Sequence, residues 1–269
     1  MRQLASGTFV TLFSLFAGLA VLYLGVPVLV VVIRAVAAQG WQAAPDGRIA
    51  SAVGLSIFTT LVSTAITILV GTPLAYLLAT RRFRGKRLIQ TLVELPIVLP
   101  PAVAGIALLI TFGRRGLLGP LLGELGISIP FTTAAVVFAQ IFVSAPLYIR
   151  AAVIGFQGVP NVLWQAATVD GASESVIFRK IALPLAARGM VSGAISSWAR
   201  AMGEFGATIF FAGSLAGTTQ TMPLLIYGVF ERDIDAALWT SVILIALSVA
   251  ALLLAQLAQP DKPSGAEGD

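Results

Sequence analysis

Two charged residues stand where charge is costly. Arg200 and Glu204 lie four residues apart inside a stretch, 189–211, that is otherwise apolar or small. An i,i+4 separation on a helix puts both on one face. Charges inside a membrane span are paired or face water. Two roles compete here. In one, Arg200 attracts an anion and Glu204 tunes it. In the other, the pair neutralises itself and fixes helix packing. The second is favoured, because a carboxylate repels an anion. Ser196, Ser197 and Thr208 are candidate polar groups lining a pathway along the same stretch. Its many small residues serve equally for close helix packing. Pro96, Pro100 and Pro101 interrupt a second apolar stretch. Proline removes an amide donor and clashes with the preceding turn, so a kink or a gate is expected there. Enzymatic chemistry has little to work with. The sequence holds no His and no Cys, which removes disulfides, thiol nucleophiles, Cys/His zinc sites and histidine bases together. Glu94, Arg200 and Glu204 form no acid–base constellation, which speaks against an intramembrane enzyme.

The elements that hold these residues follow from where charge is missing. The 269 residues include 17 Lys plus Arg and 12 Asp plus Glu, or 11% charged, and 58% are hydrophobic. An ordinary soluble domain carries about 25% charge. Disorder needs the opposite composition. The chain therefore reads as an all-α, polytopic membrane helix bundle. A span needs roughly 20 apolar residues. Six such segments are expected, at about 8–34, 50–80, 91–113, 131–152, 187–211 and 236–258. They form a single transmembrane domain over 1–269, with a flexible tail at about 259–269. The first apolar run is longer than a signal-peptide core and reads as a retained anchor. With the N-terminus inside, cytoplasmic segments carry 11 Lys and Arg and outer segments 5. The cluster RRFRGKR at 81–87 dominates that bias. The positive-inside rule then puts both termini in the cytoplasm. The juxtamembrane position of the cluster argues for topology and against nucleic acid.

One cytoplasmic loop, 159–184, is more than a linker. Asn161 is placed to cap a short helix and Gly171, after Asp170, to end it. Ser173 is placed to cap a second, which Pro184 limits. Leu163, Ala166 and Ala167 share a face by the three/four rule. Alanines there permit close approach, and Leu163 and Trp164 offer apolar anchors. Such a face suits either a docking surface or a helix lying on the membrane.

The spacing of Gln165, Ala166, Ala167, Gly171, Ile181, Leu183 and Pro184 resembles the EAA loop of prokaryotic ABC-importer permeases. That family has Glu where this chain has Gln165, which weakens a charge contact there and leaves the small face and Gly turn intact. A second likeness is to the sulfate/molybdate permease group. Its residues are the run from Arg200 through Gly203, Glu204, Phe205 and Gly206 to Thr208, then Phe211-Ala-Gly213 and Thr219 to Leu224. Glu94-Leu-Pro96 and Leu99-Pro-Pro101 fit the same group. The likeness runs from the second span to the sixth, and the first 50 residues and the tail carry little of it.

The resemblance implies a type I importer fold in which the loop docks on a separate ATPase. It implies a second permease copy, two ABC ATPase subunits and an extracytoplasmic oxyanion-binding protein, in the inner membrane among lipid. ATP and Mg would sit on the ATPase, with no cofactor on this chain; no G-x-x-x-x-G-K-[ST] run is present. The cargo implied is molybdate, with tungstate and sulfate as related anions, moved by alternating access. An ion-coupled secondary transporter using Glu204 is the alternative, although no internal repeat supports it.

Overall fold

The computed structural model describes residues 2–44 and 46–257; the tail at 259–269 lies outside them. The described residues are helical and contain no strand. In chain order the helices are α1 (Arg2–Ala37), α2 (Asp46–Thr80), α3 (Lys86–Val98), α4 (Pro101–Phe112), α5 (Gly119–Glu124) and α6 (Thr133–Gln157). Then follow α7 (Asn161–Val169), α8 (Glu174–Ile177), α9 (Leu183–Met202), α10 (Gly206–Phe211), α11 (Met222–Phe230) and α12 (Ile234–Leu257).

Among the described residues, four helices are long and apolar enough to cross a membrane: Phe9–Ala37, Gly47–Thr80, Thr133–Gln157 and Ile234–Leu253. The pair α3 and α4 makes a fifth crossing if it is one span, but it is bent by 118°. The segment expected at 187–211 folds as α9 and α10 around a break, and is not among those crossings. Arg188, Arg200 and its glycines and serines lower its apolarity below that of the others.

The bundle is organised around α6, which packs against α2, α4, α9 and α10. Thr132 opens α6 by accepting the Ala135 amide at 3.3 Å. Tyr148 and Phe156 of α6 are fully buried. The α6–α9 crossing is made by small residues. A Cβ on Gly189 would lie 3.0 Å from the Gly155 Cα, and one on Gly193 would lie 2.7 Å from the Ala151 Cβ. Gly189 and Gly193 are the two glycines of a G-x-x-x-G run, which lets backbones meet where lipid supplies no hydrophobic push.

The α2–α6 seam is polar. Gln140 donates to the Thr59 hydroxyl at 3.1 Å, and Thr72 and Tyr148 share a hydrogen bond of 2.6 Å. Ser56 accepts the Met222 amide at 2.8 Å, tying α11 to α2. In contrast, α1 turns apolar side chains such as Phe13, Phe16 and Leu22 outward from Phe9 to Ile33. A helix that is apolar all round and exposed on the protomer suits a lipid environment.

Candidate functional site

The first part of the site is the loop between α6 and α9. Helix α7 ends in a double hydrogen-bonded turn. The Ala172 amide donates to the Ala167 carbonyl at 2.9 Å, and the Gly171 amide to Thr168 at 3.1 Å. This closure requires a left-handed residue, and Gly171 supplies it at φ 75°. Asp170 is the exposed residue just before it. The expected caps differ in detail. Pro160, not Asn161, precedes the first helical residue, and Asn161 makes no capping bond. Proline holds the extended backbone that this entry requires. Ser173 sits at the cap position of α8 but its hydroxyl pairs with Ser175 instead, at 3.2 Å.

Pro184 does not limit the second helix. A π turn, Phe178–Ala182, joins α8 directly to α9, and Pro184 falls in the first turn of α9. The Leu183 amide bonds back to the Phe178 carbonyl across the wider π turn. A proline in a first turn has no amide to satisfy, so the helical path continues. Ile181 and Leu183 are half-buried along that path, and Leu183 packs on the core beneath.

The face of α7 is rotated from the expected one. Trp164 points inward, with its ring 6.1 Å from Tyr76 of α2. Tyr76 also meets Phe156 of α6 at 5.4 Å and Phe178 at 4.9 Å, both edge-on. Ala167 is buried beneath. Leu163, Gln165 and Ala166 remain exposed, flanked by Val162 at 71% and Val169 at 87% exposure. Val162 and Val169 were not singled out from the sequence. Their i,i+7 spacing around Ala166 is the signal that would have found them. Arg81, just past α2, pairs with Glu174 of α8. That carboxylate holds the Arg81 guanidinium above its ordinary pKa, through a side-chain hydrogen bond and charge attraction.

The second part lies where two helical paths break side by side. Helix α9 stops at Met202, so Glu204 sits in the break and not on the helix. One Glu204 oxygen meets the Arg200 guanidinium at 2.7 Å. The other accepts the Ala207 amide at 2.6 Å, closing the first turn of α10. Glu204 is 1% exposed and the Arg200 side chain 35%. Against α10 lies α4. A Cβ on Gly206 would stand 2.5 Å from the Pro101 Cβ, and one on Gly105 would stand 2.6 Å from the Ala207 carbonyl oxygen. The break before α4 is at Leu99 and Pro100, both extended, with ψ 133° and 134°. Pro100 is exposed there, while Pro96 lies inside α3 and not at the bend.

The polar residues of α9 divide between two faces. Ser197 is buried against the bundle, as is Thr208 on α10. Ser196 is exposed and donates to the Ser192 carbonyl at 2.9 Å. Arg188, Ser192, Ser196 and Arg200, spaced by four, form one stripe directed away from the buried face. No group of His, Cys, Asp and Glu able to hold a metal occurs among the described residues.

The family model described as binding-protein-dependent transport system inner membrane component matches residues 71–261. A probable transport system permease protein, NifC, of Clostridium pasteurianum is 41% identical over 208 residues, 77% of this chain and 73% of that protein. The molybdenum transport system permease protein ModB of Mycobacterium bovis is 40% identical over 238 residues, 87% of this chain and 88% of its own length. The sulfate transport system permease protein CysW of Synechococcus elongatus is 31% identical over 251 residues, covering 89% of this chain and 87% of that one. In fold, the chain is similar to a bacterial ABC transporter that imports the acidic polysaccharide alginate. That likeness has a TM-score of 0.63 and 14% identity, with 79% and 80% of the two chains covered.

Proposed function

From this chain's membership of the binding-protein-dependent inner membrane transport components, we propose that it is the permease subunit of an ATP-driven molybdate importer. The carrying observation is the 40% identity to a molybdenum permease across 87% of the chain, against 31% to a sulfate permease. Tungstate and sulfate are the related anions to compare.

Two copies of the chain form the membrane unit, each docked on one of two ABC ATPase subunits, with an external oxyanion-binding protein above them. Both termini lie in the cytoplasm. ATP and Mg belong to the ATPase. The exposed face of α7, around Leu163, Gln165, Ala166, Val162 and Val169, is the docking surface; Trp164 sends its displacement into Tyr76 of α2 and Phe156 of α6. The Ser192–Ser196–Arg200 stripe of α9 faces the pathway between the two copies. Glu204 binds no anion: it is sealed, holds Arg200 in place and closes α10. The paired breaks at Pro100 and Glu204 are the points where the pathway opens and shuts. Alternating access then follows from states that interact differently with cargo and nucleotide.

The test is reconstitution with the ATPase and the binding protein in liposomes. ATP-dependent uptake of molybdate, competed by tungstate more strongly than by sulfate, is the expected result. Uptake driven by an ion gradient without the ATPase would instead establish the secondary-transporter reading.

A further inference from the structure

The turn after α2 and the first two residues of α3 together carry Arg81, Arg82, Arg84, Lys86 and Arg87, with no acidic residue before Glu94. Arg81 is committed to Glu174, and the Lys86 ammonium donates to the Arg81 carbonyl at 3.1 Å. Among the described residues, Arg82, Arg84, Lys86 and Arg87 have no carboxylate within ion-pair distance. Arg82, Lys86 and Arg87 line a cleft of about 430 Å³ with Phe83, Gly85 and Gln90. Gly85, at φ 86°, turns the chain so that the cations gather at the start of α3.

Helix α3 is built differently from the helices that cross the bilayer. It buries no residue. Ile89 and Val93 rest on the bundle, while Leu88, Leu92 and Leu95, at i, i+4 and i+7, are 64%, 56% and 45% exposed. Arg87, Gln90, Thr91 and Glu94 occupy the remaining face. The 118° bend turns this helix out of line with α4. An amphipathic helix with cations at its start, an exposed leucine stripe and a course across its neighbour has the form of an interfacial helix. Cations immediately beyond a membrane span attract anionic headgroups.

We propose that the 82–87 turn and α3 together bind the headgroup of an anionic phospholipid. The guanidinium and ammonium groups take the phosphate, and Leu88, Leu92 and Leu95 lie against the acyl chains. Both halves of the lipid thus meet matching chemistry on adjacent turns of one helix. The inference is independent of which anion is transported.

The experiment uses the full chain in phosphatidylcholine with a trace of spin-labelled phosphatidylglycerol or spin-labelled phosphatidylcholine. The readout is the motionally restricted fraction of each label. The expected result is a preference of about threefold or more for the anionic lipid, falling toward equality as salt shortens the screening length. Replacing Arg82, Arg84, Lys86 and Arg87 together by Gln abolishes the preference, while Arg114→Gln with Arg115→Gln leaves it. Equal restriction of both labels by the wild-type chain overturns the proposal. So does a preference that salt does not reduce, a reading that needs no variant to fold, or one the quadruple variant retains.

Discussion

The Glu204 carboxylate reaches back across the end of α9 to the Arg200 guanidinium at 2.7 Å, while its second oxygen closes α10 on the Ala207 amide. One buried acid thus joins the end of one helix to the start of the next. Glu204→Gln keeps an acceptor for Ala207 but removes the partner of Arg200. Glu204→Ala removes both. The expected order of stability is wild type, Gln, Ala, with about 1–2 kcal/mol lost for the first replacement. In Arg200→Gln/Glu204→Gln the loss is smaller than the two single losses added, because neither charge is stranded. Thermal unfolding of the detergent-purified variants measures it. A Glu204→Gln chain with unchanged stability and transport would exclude the structural role.

The α4–α10 contact is set by two glycines. Gly206→Ala drives a methyl into Pro101, and Gly105→Ala drives one into the Ala207 carbonyl. Each is expected to cost about 1–3 kcal/mol and to lower transport. Gly203→Ala is the control: its nearest atom would be 3.9 Å away, and it should leave both properties near wild type. Equal behaviour of all three variants would remove the close contact from the mechanism.

Inner and outer faces of α7 should separate in experiment. Trp164→Ala empties space beside Tyr76 and lowers stability by about 2–3 kcal/mol, somewhat below the range for a fully buried tryptophan. Val162→Asp and Val169→Asp change only exposed positions, so stability should stay within about 0.5 kcal/mol. They should instead reduce co-purification with the ATPase. Normal co-purification in both aspartate variants would move the docking surface elsewhere.

The closing turn of α7 makes a backbone prediction. Gly171 has open space around a would-be Cβ, so only its φ of 75° penalises a side chain. Gly171→Ala should cost about 1–2 kcal/mol and Gly171→Asn less, as asparagine tolerates that conformation better. Matched unfolding curves for the two variants test the order.

With no cysteine in the chain, single-cysteine labelling is clean. Ser196→Cys should react with a water-soluble thiol reagent in at least one nucleotide state of the assembled transporter. Ser197→Cys, on the buried face, should resist in all of them. Reaction at 197 and protection at 196 would reverse the orientation assigned to α9.

The membrane class, most of the spans and the Gly171 turn were legible because each rests on local chemistry: missing charge, apolar length and a left-handed residue. The Arg200–Glu204 pair was also legible, although the helix assumed to carry it stops at Met202. What sequence spacing missed was set by distant partners. Trp164 turns inward against Tyr76 of α2, a ring that Phe156 and Phe178 also hold in place. Ser196 and Ser197 look equivalent in sequence, and only the glycine crossing with α6 decides which faces out. Pro184 reads as a stop, but the π turn before it removes the conflict that would have ended the helix.

The helical path from Glu174 through the π turn to Met202 also runs the second half of the loop into the fifth segment with no non-helical break. Its closest meeting with α6 is the glycine crossing at Gly189 and Gly193. With the loop docked as proposed, a push on the Glu174 arm is expected to reach the other arm, beside Arg200. The π turn sets the angular phase between the two arms. Deleting one residue from it would leave each end intact yet rotate one against the other by about 100°, a transporter with sound parts and mistimed strokes.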